Sequence, residues 1–286
     1  MPEQPFNSST LQPGNLLADY PFFTGPKPRI IGHRGASGTA PENTLLSFRQ
    51  AFQEGADFVE LDLHECQEGA VVIIHDAILE RTTNGSGPVS ARSVQDLKSL
   101  DAGFRFTPED GATFPYRGQN LEIPTLEDFF LSFPQARAIV EIKPLSPSII
   151  QRAVDTILKF HAEDPVLLST EEDTVMAAIR AELRRVGHAM ATGFSYGEVA
   201  AFVHWVQSGM ATPYEPPGQA FQLPPFYKEV RLVSPETVRA AHQLGLEMFV
   251  WTINQAEEMQ GFLSLGVDGI ITDYPSRLRD IVGRTQ

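Results

Sequence analysis

The stretch Asp57-Phe58-Val59-Glu60-Leu61-Asp62-Leu63-His64-Glu65-Cys66-Gln67-Glu68-Gly69-Ala70-Val71-Val72-Ile73-Ile74-His75-Asp76 decides the fold. Two runs in it, 57–63 and 71–75, are rich in apolar and β-branched residues and read as strands. The gap between Leu63 and Val71 is too short for a parallel crossover, which needs about a dozen residues. A hairpin turning at Gln67-Glu68-Gly69 fits instead. Counting back from that turn places His75 opposite Leu61, level with Glu60 and Asp62. Strand side chains alternate, so these two carboxylates leave one face while Val59, Leu61 and Leu63 leave the other.

Working outward, seven further strand candidates follow, at 29–32, 137–142, 166–169, 188–193, 220–223, 247–253 and 268–272. Helical spacing of apolar residues appears at 149–160 and 174–185, and residues 235–244 and 255–265 continue the alternation. Repeated strand–helix units imply a parallel sheet, and this number favours a closed (β/α)8 TIM barrel, with one strand of the hairpin an excursion from it. A chain of 286 residues suits one such barrel. Residues 1–28, rich in Pro, Ser, Asn and Gln, read as an irregular extension laid over a barrel of residues 29–286. Residues about 82–122 lack sustained periodicity and read as an inserted cap over the pocket. The Pro-, Tyr- and Phe-dense stretch 211–227 is expected to wall the site.

The composition narrows the function. A hydrophobic share of 42 % and a mean hydropathy of −0.14 fit a globular protein with a sizeable core. The net charge of −14 argues against nucleic acid and anionic bilayers as partners and leaves a small anionic substrate. No apolar run reaches the roughly 20 residues of a membrane span, so no stable membrane insertion is expected. One cysteine, Cys66, allows no internal disulfide, and Met1 to Pro28 shows no signal-like pattern, so a cytoplasmic location is expected. The oligomeric state is not legible.

The chemistry gathers at strand ends. Glu60 and Asp62 would repel each other if buried without a cation. Glu141 and Lys143 repeat the pattern in Ala138-Ile139-Val140-Glu141-Ile142-Lys143. Glu60, Asp62 and Glu141 together make an oxygen-rich site suited to a divalent cation, Ca²⁺ or Mg²⁺; the bland alternative is a salt bridge from Lys143 to Glu60 or Asp62. His33 and His75 each follow an apolar strand, and imidazole can serve as base or acid near neutrality. Arg34 offers a planar fork of donors that matches a phosphate, and Lys143 a second positive charge. His64 is a modest candidate, while His161, His188, His204 and His242 read as surface or packing residues. Glu42, in Pro41-Glu42-Asn43-Thr44, is a loop away from His33 and could orient it; Asn43 or Thr44 reads as a helix N-cap. Trp251 is expected at the mouth as core or as a wall for the substrate alcohol. Asp273 is expected to bind substrate or cap the last strand.

From about Arg29 to Ile281 the chain resembles the glycerophosphodiester phosphodiesterases. The matching stretches are His33–Thr44, Glu60–Asp62, Val71–Asp76, Arg81–Gly85, Ile123–Glu127, Glu141–Lys143, Val250–Asn254 and Gly266–Pro275. The resemblance implies a (β/α)8 barrel that hydrolyses glycerophosphodiesters to glycerol 3-phosphate and an alcohol. It also implies a divalent cation on Glu60, Asp62 and Glu141, His33 and His75 as acid and base, and Arg34 and Lys143 on the phosphate. It further implies attack by a neighbouring substrate hydroxyl and a cyclic phosphate that water opens. The turn at His64–Gly69 departs from the family's usual Lys-Asp-Gly type, at no matched catalytic position. Two other readings stand beside it. One is a lysophospholipase D-like enzyme acting on lipids, which needs an apolar surface and against which the acidic, one-cysteine chain argues. The other is an inactive barrel that binds glycerol phosphates.

Overall fold

The computed structural model describes residues 17–108, 111–143 and 148–284. Its first half runs β1 (Arg29–Gly32), α1 (Leu45–Gln53), β2 (Phe58–Glu65), β3 (Val71–Ile73), α2 (Val94–Lys98), α3 (Leu126–Ser132), β4 (Ala138–Ile142), α4 (Ser148–Lys159) and β5 (Val166–Ser169). The second runs α5 (Asp173–Val186), β6 (Ala191–Thr192), α6 (Tyr196–Gln207), β7 (Ala220–Leu223), β8 (Phe226–Tyr227), β9 (Val230–Arg231), α7 (Pro235–Gln243), β10 (Glu247–Val250), α8 (Ala256–Leu265), β11 (Gly269–Thr272) and α9 (Pro275–Val282).

Eight parallel strands pair in the order β6-β5-β4-β2-β1-β11-β10-β7. Gln219 bridges the last edge: its backbone N–H donates to Thr192 O and its side-chain Oε1 accepts from the Thr192 N–H, both at 2.9 Å. The sheet is thus a nearly closed (β/α)8 barrel. The ninth strand, β3, is the expected excursion and pairs antiparallel with β2. Leu63 lies opposite Ile73 and Glu65 opposite Val71, a register that carries His75 to the level of Leu61. Gly69 makes the turn with a positive φ of 84°.

Ile31, Phe58, Ile139, Leu167, Ala191, Ala220, Phe249 and Ile271, one from each barrel strand, fill the interior. Phe22 and Phe23 join that cluster from below, and the Phe22 ring lies 4.6 Å from that of Phe58. The segment before β1 is held by Arg29, whose buried guanidinium pairs with Glu247 at 2.9 Å. The same group donates to the carbonyls of Thr24 (2.9 Å), Pro26 (3.0 Å) and Phe23. Residues 17–28 therefore plug the lower mouth rather than merely lying on the surface. Residues 1–16 of the expected extension fall outside the described residues.

Two expected strands are shorter than their apolar runs. The 188–193 run contributes only Ala191–Thr192, and the 247–253 run stops at Val250. The first loses mainly its start, residues 188–190, and the second its end, where Trp251 turns into the upper mouth. The segment between β3 and α3 has its own apolar cluster, including Val72, Leu79, Val89, Leu97 and Ile123. It leans on the loop after β1, where the Tyr116 hydroxyl donates to Thr39 O at 3.1 Å. The short hairpin β8–β9 and helix α6 carry no clear sequence signal of their own. Among the described residues, no helix is long and apolar enough to cross a membrane.

Candidate active site

Alternation along each strand dictates what stands above the apolar filling. Two residues on from each filler come His33, Glu60, Glu141, Ser169, Gly193, Gln222, Trp251 and Asp273. Asp62 follows one step above Glu60. An acidic and polar crown therefore closes the C-terminal end of the barrel, where barrel loops can add substrate contacts.

Glu60, Asp62 and Glu141 meet in that crown, with ligand oxygens within 4.8 Å of one another. The pairing of β2 with β4 sets Asp62 beside Glu141. Burial, then Asp62 and Glu141, raise the Glu60 carboxyl well above the ordinary glutamate range. Burial and Asp62 likewise raise Glu141. Burial also works against Asp62, but Lys143 and Arg34 outweigh it and hold that carboxyl low. Asp62 Oδ1 is buried and faces Lys143 Nζ at 3.0 Å without a hydrogen bond of good geometry. Three crowded carboxylates, two with raised pKa from burial and mutual repulsion and one with an oxygen lacking a well-formed hydrogen bond, are the donor set a hard divalent cation takes. The residues fit such an ion.

Both histidines are oriented by carboxylates. His33 Nδ1 lies 2.6 Å from Asp273 Oδ1, and His75 Nδ1 lies 2.6 Å from Asp76 Oδ1. Burial opposes ionisation of Asp273, but hydrogen bonds from His33, Ser37 and Asn254 outweigh it and keep its carboxyl below the usual range. Burial is likewise outweighed at Asp76, where hydrogen bonds from Arg81 and His75 hold the carboxyl down to about 2. Ionised carboxylates only accept, so each Nδ1 carries the proton and each Nε2 is left for other partners. His64 is buried beneath, its Nε2 donating to His75 O at 2.9 Å. It supports the end of the hairpin rather than adding a group to the crown.

The cations are equally constrained. Lys143 Nζ lies 2.6 Å from Glu141 and 3.0 Å from Asp62, so the salt bridge expected with Glu60 or Asp62 runs to Asp62 and Glu141. Arg34 pairs with Glu42 at 2.9 Å and Asp62 at 3.3 Å, and its backbone N–H donates to Glu60 at 3.0 Å. That inward-turned N–H comes with a left-handed backbone at Arg34, φ 54°. The next residue must be glycine: Gly35 has φ 89°, and a Cβ there would collide with Ser47.

Several assignments depart from the sequence reading. Glu42 does not orient His33; Asp273 does. The Glu42 carboxylate instead binds Arg34 and Arg81, the latter through two bonds of 2.6 and 2.7 Å. Thr44 is the N-cap of α1, while Asn43 turns inward to Asp62, donating to Oδ2 at 2.9 Å. Asn254 accepts from Thr272 Oγ1 and the Asp273 N–H and donates to Asp273 Oδ2 at 2.6 Å. Ser37, Asn43, Asp76, Arg81 and Asn254 have no role in the site on the sequence reading, which offers Asn43 only as an N-cap. Each lies inside a matched stretch, the one signal that could have drawn attention to it. Trp251 stands in the crown and, with Glu171 and Gln222, borders an open groove of about 710 Å³ beside α6.

The chain is similar to known phosphodiesterases over most of its length. The model of the glycerophosphoryl diester phosphodiesterase family matches residues 33–277. A glycerophosphodiester phosphodiesterase of Caldanaerobacter subterraneus is 31 % identical over 259 residues, covering 90 % of this chain and 98 % of that one. One from Bacillus subtilis is 30 % identical over 281 residues, covering 93 % and 88 %. Among solved structures, an Oleispira antarctica phosphodiesterase in complex with its product sn-glycerol-3-phosphate superposes with a TM-score of 0.72 at 24 % identity, covering 90 % of this chain and 98 % of that one.

Proposed function

This chain belongs to the glycerophosphoryl diester phosphodiesterase family, and we propose that it converts glycerophosphodiesters to sn-glycerol 3-phosphate and an alcohol by two-histidine catalysis at a divalent-cation site. The observation that carries this reading is the pairing of each histidine with its own ionised carboxylate beside the three crowded acids.

Glu60, Asp62 and Glu141 would hold the cation, Ca²⁺ or Mg²⁺. When bound, it would supply positive charge to the phosphoryl oxygens. Arg34 and Lys143 add fixed donors to the same oxygens, and their carboxylate partners keep them in place. One histidine accepts, at Nε2, the proton of the glycerol hydroxyl next to the phosphoester. That oxygen bonds to phosphorus as the bond to the alcohol breaks. The other histidine gives its Nε2 proton to the departing alkoxide. In the second step the roles reverse: water loses a proton to one imidazole and bonds to phosphorus, and the ring oxygen leaves protonated by the other. Asp273 and Asp76 fix the tautomers and stabilise each imidazolium as it forms.

We also propose the domain division: an extension at residues 1–28, a catalytic barrel at 29–286, and a cap inserted at about 82–122. Release of glycerol 3-phosphate from glycerophosphocholine, with Ca²⁺, with Mg²⁺ and with a chelator, tests it. Metal-dependent release lost in Glu60→Ala and His33→Ala supports the reading; no release from folded protein under any metal removes it.

A further inference from the structure

Arg81 joins the two loops that carry Arg34 and His75. Its guanidinium donates from Nη1 and Nη2 to the two oxygens of Glu42, at 2.6 and 2.7 Å. The same group donates from Nε to Asp76 Oδ2 at 2.6 Å and from Nη2 to Asp76 Oδ1 at 3.2 Å. Glu42 in turn holds Arg34 at 2.9 Å, and Asp76 Oδ1 faces His75 Nδ1 at 2.6 Å. The result is an unbroken run of charged contacts from Arg34 through Glu42, Arg81 and Asp76 to His75.

Each link has a fixed base. Arg81 lies in a turn between Leu79 and Thr83, both fully buried, where the Thr83 hydroxyl donates to Leu79 O at 2.7 Å. Leu79 packs in the same apolar cluster as Val72 and Ile74, on the arm that leads to His75. Glu42 precedes Asn43, which is buried and anchored to Asp62. Burial opposes ionisation of Glu42, but Arg81 and Arg34 outweigh it and keep its carboxyl below the usual range. An ordinary exposed ion pair contributes little, because two long side chains must be ordered for one contact. Arg81 is partly exposed, yet its planar fork meets two carboxylates at once. Such forked pairing fixes direction as well as distance, which a lysine in its place would not do.

We propose that Arg81 is a positioning residue for the reaction, which sets the place of His75 relative to Arg34 through Asp76 and Glu42. The inference rests on the reading of the site given above. A phosphodiester held at Arg34 must present its reacting oxygen within hydrogen-bond reach of the imidazole, and a misplacement of about 1 Å can cost about a hundredfold in rate. The two groups stand on different loops, one after β1 and one after β3. Arg81 ties those loops together from outside the crown and leaves His75 Nε2 to the substrate. Glu42 and Asp76 share its Nη2, so removing the guanidinium sets two ionised carboxylates against each other. Their repulsion loosens both grips, that of Asp76 on His75 and that of Glu42 on Arg34.

Steady-state turnover of glycerophosphocholine, with Tm measured beside it, tests the role. Arg81→Met keeps the length of the stem and loses the charge; kcat is expected to fall about 30- to 100-fold with KM changed less than about threefold. Arg81→Lys restores the charge without the fork and should recover no more than about a tenth of the lost kcat. Should Arg81→Met fail to fold, Arg81→Gln carries the same test. The second measurement is non-additivity: in a Glu42→Gln, Asp76→Asn double variant, Arg81→Met should cost less than about twofold more, because the path it acts through is already gone. The full loss repeated in that background overturns the proposal, as does a rise in KM with kcat intact, which would make Arg81 a substrate contact. Unaltered kinetics would reduce the bridge to a surface ion pair and overturn it too. No release of glycerol 3-phosphate by folded wild-type protein under any metal removes the reading of the site, and this inference with it; wild-type turnover alone tells that failure from the others.

Discussion

Asp273, one residue beyond the last barrel strand, lies 2.6 Å from Nδ1 of His33, one residue beyond the first. Strands β11 and β1 are hydrogen-bonded neighbours, so the closure that makes the barrel also makes this pair. Asp273→Asn should lower kcat on glycerophosphocholine by about a hundredfold, with KM changed less than threefold. Steady-state kinetics decides it: a loss confined to KM would mean that Asp273 touches substrate rather than holding His33.

The acidic trio makes cation binding and pH act together. Glu60 and Glu141 have raised folded-state pKa values. In cation-free protein they cost nothing while both states are protonated, and they cost stability as pH rises past the unfolded value, about 4.3 for glutamate, towards the folded one. Added Ca²⁺ or Mg²⁺ at about a hundred times its Kd should raise Tm by about 5–10 °C at pH 8 and by less at pH 5. Glu60→Gln should raise the cation-free Tm and erase the cation response. Scanning fluorimetry at the two pH values checks both signs.

Arg34 combines a backbone donor, a carboxylate tether and a forked head. Arg34→Lys keeps the charge and loses the fork, so kcat/KM should fall about 10- to 100-fold with Tm nearly unchanged. Equal activity would show that charge alone suffices there.

Phe22 is fully buried under the barrel, at the opposite end from the crown. Phe22→Ala should cost about 3–5 kcal/mol of stability and leave kcat per folded molecule unaltered. Urea unfolding monitored beside activity separates the two effects.

Much of the barrel and its crown is legible in the sequence. Each barrel strand is an apolar run that ends in charge or polarity, and that change of character locates both the strand and the crown. The length of the turn between Leu63 and Val71 forces a hairpin and brings His75 level with Leu61. The partners of the catalytic candidates are less legible, because they depend on which loops meet. Glu42 is closer to His33 in sequence, yet Asp273 reaches it across the barrel seam. Asn43 hides beside a genuine N-cap, Thr44. The groove is invisible for another reason: it forms where α6 meets the β8–β9 hairpin, and neither element carries a clear sequence signal.

The plug beneath the barrel has a kinetic meaning. Arg29 and Glu247 are separated by 218 residues, and Phe22 completes a layer that includes Phe249 and Ile271. Residues 17–28, made before any barrel strand, thus have no complete seat until nearly the last strand is in place. Such long-range closure makes docking of residues 17–28 a late event in folding. Hydrogen exchange at the amides of Phe23 and Thr24 would follow the integrity of the whole barrel, reporting from its base whether β10 and β11 have closed the ring.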